Sequence, residues 1–328
     1  VVVKGHSAHP ATSEIVAQAI LAATIETKMP AGVFSLIQGG ARGAGQALVQ
    51  NPFIKAVGFT GSTFGGRALF DLCAARPEPI PFFGELGSTN PVFLLPAAAA
   101  VRSAEWAEGW AASLQMGAGQ FCTNPGVVIA LDNEDIEAFI ETSSKILEQG
   151  SEQHMLTDRI AESYYQVCAG IQSEDGVVSI VSPEAAARSA RPFLSTTTGE
   201  TWLKNERLHL EMFGPAGLII RAESEEQMLE IARMLEGQLT CTLLFDDADT
   251  DLGKHLVNVL EDKAGRIIVN NFPTGVEVSD TMVHGGPYPA STSFGATSVG
   301  SMSIRRFLRP VCYQNLPQAL LPEDCAEA

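Results

Sequence analysis

Positive charge is scarce. Lys and Arg number 21 against 38 Asp and Glu, a net charge of −17 over 328 residues. No basic cluster is longer than Arg305-Arg306. Binding to nucleic-acid phosphates needs a cationic face, so no nucleic-acid partner is expected. Long apolar runs are also missing. The longest, around residues 91–101, is broken by Pro96 and by alanines, so no membrane partner is expected either. Cysteine is sparse and scattered: Cys73, Cys122, Cys168, Cys241, Cys312 and Cys325 form no CxxC and no Cys/His cluster at zinc spacing. A disulfide framework or a structural metal is therefore not expected, and a reducing cytoplasm fits. No cleavable signal pattern opens the chain. It begins with Val rather than Met, inside what reads as a strand, which points to truncation at the N-terminus.

What is present is a large apolar fraction, 45%, ample for a sizeable core and for two domains. Strand-like runs at residues 1–4, 34–38 and 56–59 alternate with helical patterns at 10–28, 46–49 and 67–75. Strand, helix, strand with short turns predicts a parallel sheet with crossover helices. Beyond Pro77-Glu78-Pro79, short apolar strands recur at 91–95, 127–131, 217–221, 242–246 and 266–270. This reads as a second α/β unit. Ser224 and Gln227 are spaced as a capping box. Residues 148–195 have a weaker pattern with a linker-like Ser182-Pro183, and 303–316 alternate like a strand that pairs with another subunit.

Three stretches could carry chemistry. In Gly117-Ala118-Gly119-Gln120-Phe121-Cys122-Thr123-Asn124-Pro125-Gly126 a thiol sits among turn-forming residues rather than in an apolar run. A free thiol has a pKa of about 8.5, so Cys122 needs help to act as a nucleophile. In Phe82-Phe83-Gly84-Glu85-Leu86-Gly87 a single acid lies between apolar groups. Such an acid tends to be held partly protonated, as a general base or acid must be. In Phe59-Thr60-Gly61-Ser62 a strand runs into small residues that open a helix, a setting that presents N–H groups to an anion. Gly39-Gly40-Ala41-Arg42-Gly43 is similar, but neither loop is GxGxxG.

Together these stretches resemble the aldehyde dehydrogenase family. Gly119-Gln120-Phe121-Cys122 resembles its catalytic-cysteine motif, and Glu85-Leu86-Gly87 with Asn90-Pro91 its glutamate motif, at a matching spacing of 37 residues. Phe59-Thr60-Gly61-Ser62 and Glu211-Met212-Phe213-Gly214-Pro215 match two further motifs, in the correct order. The resemblance covers essentially the whole chain. It implies an α/β fold with a partial Rossmann-like cofactor domain (1–86), an α/β catalytic domain (87–296), and a C-terminal return with an oligomerisation strand and tail (297–328). It makes Cys122 the nucleophile and Glu85 the base that activates water. Gly61, Ser62, Glu211 and Phe213 would bind the cofactor, and no metal is implied. The family's second oxyanion donor, an asparagine, would lie upstream of residue 1.

Lys4, Ser7 and Arg42 would face the adenosine ribose. A serine and an arginine there suit a 2′-phosphate, so the resemblance implies NADP, with NAD left open. Val283-His284-Gly285-Gly286-Pro287 and the run from Arg305 to Pro317 resemble the α-ketoglutaric semialdehyde dehydrogenase group, which is related to an NADP-dependent fatty aldehyde dehydrogenase. The implied reaction is 2,5-dioxopentanoate to 2-oxoglutarate. Medium or long aliphatic aldehydes are the alternative, as is an impaired fragment that keeps the fold. His284 either helps activate Cys122 or shapes the substrate mouth. A homodimer or homotetramer is implied.

Overall fold

The computed structural model describes residues 1–39, 42–182, 184, 187–322 and 325. Gly40, Ala41, the side chain of Arg42, Pro183 and most of the acidic tail lie outside the described residues.

The chain opens with β1 (Val2–Lys4), α1 (Pro10–Glu26), β2 (Ser35–Ile37), α2 (Arg42–Gln50), β3 (Val57–Thr60), α3 (Thr63–Ala74) and β4 (Phe82–Glu85). The expected strand–helix alternation is present. Its strands form two parallel pairs, β1 with β2 and β3 with β4. Val49, Cys73 and Phe82 make a small core beneath α3. Ser62 caps α3, its Oγ accepting from the Gly65 N–H.

The larger part contains β5 (Val92–Leu94), α4 (Pro96–Gln115), β6 (Val127–Leu131), α5 (Glu134–Glu148), β7 (Gln153–His154), α6 (Asp158–Gln172), β8 (Val177–Val181) and β9 (Ser189–Ala190). It continues through β10 (Phe193–Thr198), α7 (Gly199–Lys204), β11 (Ala216–Ala222), α8 (Glu225–Met234), β12 (Gln238–Leu244), α9 (Thr250–Leu260) and β13 (Ala264–Val269). Seven strands form one sheet in the order β13-β12-β5-β6-β11-β10-β8. Every pairing is parallel except that of β8 with β10.

The central strands are apolar without alternation because both faces are covered. Phe93, Ile129, Leu218, Ile220 and Leu243 face Tyr164, Met228 and Leu256, from α6, α8 and α9. Their neighbours Val92, Leu94, Val128, Ala130 and Ile219 face Trp106, Trp110 and Phe139, from α4 and α5. The start of α4 has no capping side chain of its own; Asp249 accepts from the Ala97 and Ala98 N–H groups instead. Ser224 caps α8, but Gln227 reaches past it to the N–H of Glu223, so the expected box is offset by one residue.

Two segments differ from the sequence expectation. Residues 148–195 hold a well-formed amphipathic helix, α6, capped by Thr157. Residues 301–307 form a 3₁₀ turn, and no strand forms within 303–316. A strand acquires its register from a partner, and this segment finds none among the described residues.

Residues 284–298 run back to β4. Leu86 N–H donates to Ala290 O at 2.9 Å, and Thr292 N–H to Gly84 O at 2.9 Å. This return lays the C-terminal part of the chain against the strand that ends in Glu85.

Candidate active site

Cys122 owes its position to an unusual turn. After α4 ends, Gly117, Ala118 and Gly119 all take positive φ, at 58°, 58° and 63°. Only glycine adopts this region freely, so the alanine among them is held by its surroundings. Gln153 provides part of that hold: its Oε1 accepts from Ala118 N–H at 2.8 Å, and its Nε2 donates to Gln115 O at 3.0 Å. A Cβ on Gly119 would lie 2.2–2.3 Å from the Gly214 carbonyl group, so the cysteine turn and the Glu211–Pro215 loop touch backbone to backbone.

Asn90 ties the cysteine turn to the glutamate segment. It is fully buried, and its Nδ2 donates to Cys122 O at 2.9 Å and Asn124 O at 3.0 Å. Asn90 is in turn oriented by Ser88 and Thr240, whose hydroxyls donate to its Oδ1. Gln238, buried at the start of β12, supplies one oxygen that accepts from Thr89 N–H (2.9 Å), Asn90 N–H (3.0 Å) and the Ser88 hydroxyl (3.0 Å). Sequence reading missed Gln238, although a lone amide opening an apolar strand is a signal in itself. Gln238→Leu is expected to strand two buried N–H groups and cost about 2–4 kcal/mol, read as a lower urea midpoint. An unchanged midpoint would deny the clamp.

The chemistry gathers at the end of β4. Glu85 is 6% exposed and His284 is 3% exposed. Cys122 Sγ lies 3.4 Å from His284 Nε2, and the same nitrogen lies 3.2 Å from Glu85 Oε1. The Ser298 hydroxyl contacts Glu85 Oε2 and the His284 carbonyl oxygen. The His284 N–H donates to Thr297 Oγ1 at 2.9 Å. Nδ1 of His284 is buried and has no hydrogen-bond partner among the described residues.

Burial is the largest influence on the Glu85 carboxyl and pushes it up. Hydrogen bonds and charge from His284, with Ser298 and Cys122, outweigh it and hold the group below its usual range. The sequence expectation of a partly protonated Glu85 is therefore corrected: its neighbours favour the carboxylate. An ionised Glu85 can only accept, so the proton of this contact sits on Nε2, and the sulfur lies 3.4 Å from the same nitrogen. The thiol moves the other way. Burial, then the Glu85 charge, push Cys122 up to about 12, against a weaker pull from the Cys122 and Thr123 amides. No help from a helix N-terminus is visible, and the resting group is a thiol.

Glu211, half-buried, carries a carboxyl raised to about 7 by burial, with only the Ser88 amide pulling it down. A Cβ on Gly87 would lie 3.2 Å from the Glu211 carboxyl and 2.7 Å from Thr63 Oγ1, so Gly87 keeps a gap between the first turn of α3 and this acid. Ser62 caps that turn with Gly61 just before it, and Phe213 is exposed. Glu211 and Phe213 line a shallow cleft with Ser88, Gly119 and Phe121. Lys4 ends β1 and Ser7 lies exposed in the following turn, apart from the Cys122 group; the side chain of Arg42 lies outside the described residues.

Residues 1–310 match the Aldehyde dehydrogenase family, and the chain belongs to that family. The chain is 47% identical over its whole length to alpha-ketoglutaric semialdehyde dehydrogenase 2 of Azospirillum brasilense, covering 63% of that protein. It is 44% identical over 98% of its length to the alpha-ketoglutaric semialdehyde dehydrogenase of Acinetobacter baylyi, covering 62% of it. The chain thus spans a little under two thirds of these relatives. Among solved structures, the glyceraldehyde-3-phosphate dehydrogenase GapN of Methanocaldococcus jannaschii, complexed with NADP, aligns with a TM-score of 0.74 at 21% identity. That alignment covers 88% of this chain and 61% of that one, and shows a shared α/β fold. No helix among the described residues is long and apolar enough to cross a membrane.

Proposed function

We propose that this chain carries the catalytic machinery of an NADP-linked aldehyde dehydrogenase that oxidises 2,5-dioxopentanoate to 2-oxoglutarate. The observation that carries the reading is the contact of one thiol, one imidazole and one carboxylate in a nearly buried group. Cys122 attacks the aldehyde carbon, forming a C–S bond as the C=O π bond opens onto oxygen and the thiol proton leaves to solvent, so that Glu85 stays a carboxylate for the later step. The Nε2–H of His284 stabilises the sulfur as charge builds there. The Cys122 and Thr123 amides, which face the sulfur, are placed to bind the developing oxyanion. Glu211 and Phe213 would hold NADP beside this group, and the bound cofactor would supply a hydride acceptor for oxidation at the aldehyde carbon. Glu85 then takes a proton from water, the water oxygen bonds to the acyl carbon, and the C–S bond breaks to release the carboxylate.

The Gly87 gap beside Glu211 fits a ribose hydroxyl, since this carboxyl has one backbone donor and room for another. The residue types at Lys4, Ser7 and Arg42 support NADP over NAD. Two cations support a substrate bearing a carboxylate. Arg266 acts electrostatically on Cys122, and Arg306 on Glu85. Neither has an acidic partner among the described ion pairs. The names of the two relatives, both alpha-ketoglutaric semialdehyde dehydrogenases, support the same substrate class. We retain the division at residues 86 and 296, a cytoplasmic setting consistent with six free cysteines, and a homo-oligomer built through the C-terminal segment 297–328.

The test is NADPH formation from 2,5-dioxopentanoate and from hexanal. The expected outcome is a clear preference for the semialdehyde. Equal kcat/KM on both would overturn the substrate reading and leave the enzyme class.

A further inference from the structure

Cys122 Sγ, His284 Nε2 and one Glu85 carboxylate oxygen lie within 4.8 Å of one another. Two edges of that triangle are 3.4 Å and 3.2 Å. A tetrahedral Zn²⁺ held by one thiolate, one imidazole and one carboxylate has donor separations of about 3.4–3.6 Å, from bonds of about 2.3 Å to sulfur and 2.0–2.2 Å to nitrogen and oxygen. Two edges thus need to open by a few tenths of an ångström. The sulfur–oxygen edge, no longer than 4.8 Å, has to close by up to about 1.2 Å for the same geometry.

We propose that these three side chains also form a reversible inhibitory site for a thiophilic divalent cation of the zinc class. On binding, the Cys122 S–H bond breaks, a metal–sulfur bond forms and the proton leaves to solvent, with no change of oxidation state. The sulfur lone pair that would attack an aldehyde is then engaged. The fourth position of the metal is left for water. Oxygen-seeking Mg²⁺ and Ca²⁺ are not suited to a site with one sulfur and one nitrogen donor.

The site lacks one element of a permanent zinc centre. A ligating histidine ordinarily donates its other N–H to a carboxylate or carbonyl, a contact worth about 10–100-fold in affinity. To ligate through Nε2, His284 must carry its proton on Nδ1, which is buried without a partner. That missing contact is why the metal is a removable inhibitor and not a resident cofactor.

The experiment is a titration of the full chain with Cd²⁺ alone, without aldehyde or NADP, followed by sulfur-to-cadmium charge-transfer absorbance. One Cd²⁺ per chain is expected, displaced by Zn²⁺ and not by Mg²⁺. Cys122→Ser, or prior alkylation of Cys122 in the folded wild type, should remove the band. His284→Gln should weaken binding by at least about tenfold. The exposed thiols Cys312 and Cys325 are the competing ligands, and the double variant Cys312→Ser/Cys325→Ser should bind as the wild type does. Absorbance that survives loss of the Cys122 thiol, vanishes with the exposed thiols, or ignores His284→Gln would overturn the site. The readout does not depend on turnover, so a chain that oxidises no aldehyde still decides the proposal.

Discussion

Cys122→Ala is expected to lower kcat for aldehyde oxidation by about 10⁴–10⁶-fold, because no second group can take over the bond to carbon. The other thiols are not placed to substitute. Cys73, Cys168 and Cys241 are buried in the cores, and Cys312 and Cys325 are exposed. The fold should tolerate the change. The Cys122 carbonyl, not its side chain, accepts the Asn90 clamp, and the substitution leaves that bond in place. An unchanged thermal midpoint with turnover lost would separate chemistry from folding. Turnover within tenfold of wild type would remove Cys122 from the mechanism.

Glu85→Gln is expected to change two rates in opposite directions. Turnover should fall by about 10²–10⁴-fold, since an amide cannot take a proton from water, and a thioester on Cys122 should accumulate. Alkylation of the thiol should instead become faster. The Glu85 charge is one of the groups holding Cys122 up to about 12, after burial. Removing that negative charge stabilises the thiolate, so the thiol pKa falls and more thiolate is present at any pH below it. At pH 8 the iodoacetamide rate should rise by about tenfold, a shift of about one pKa unit. Both proteins should react faster as pH rises, with the variant's curve displaced toward lower pH. A slower alkylation in Glu85→Gln would mean that the carboxylate assists the thiol at rest.

The sequence was most informative where chemistry constrains residue type. Cys122 and Glu85 were legible from their short motifs, and the structure places both at one point, joined by His284. His284 touches the sulfur of Cys122 and the carboxylate of Glu85, a contact between residues 162 and 199 positions apart that its own loop did not announce. The protonation state of Glu85 was not legible. It depends on His284 and Ser298, about 200 residues away in the chain, whose charge and hydrogen bonds outweigh burial. The Gln238–Asn90 clamp was missed for the same reason: Asn90 stands in the glutamate motif and Gln238 opens a strand, but the contact that joins them spans 148 residues. The central strands were read correctly because burial on both faces removes polar residues from them. Helix α6 was obscured by the two-residue strands β7 and β9 on either side, too short for periodicity to register.

The central claim is that Cys122 bonds covalently to the aldehyde carbon and Glu85 then clears the bond. The most direct measurement is mass spectrometry of the Glu85→Gln chain quenched after mixing with 2,5-dioxopentanoate and NADP. The account predicts the added mass of the acyl group on the peptide containing Cys122, formed together with NADPH. NADPH formation with that peptide unmodified would contradict it.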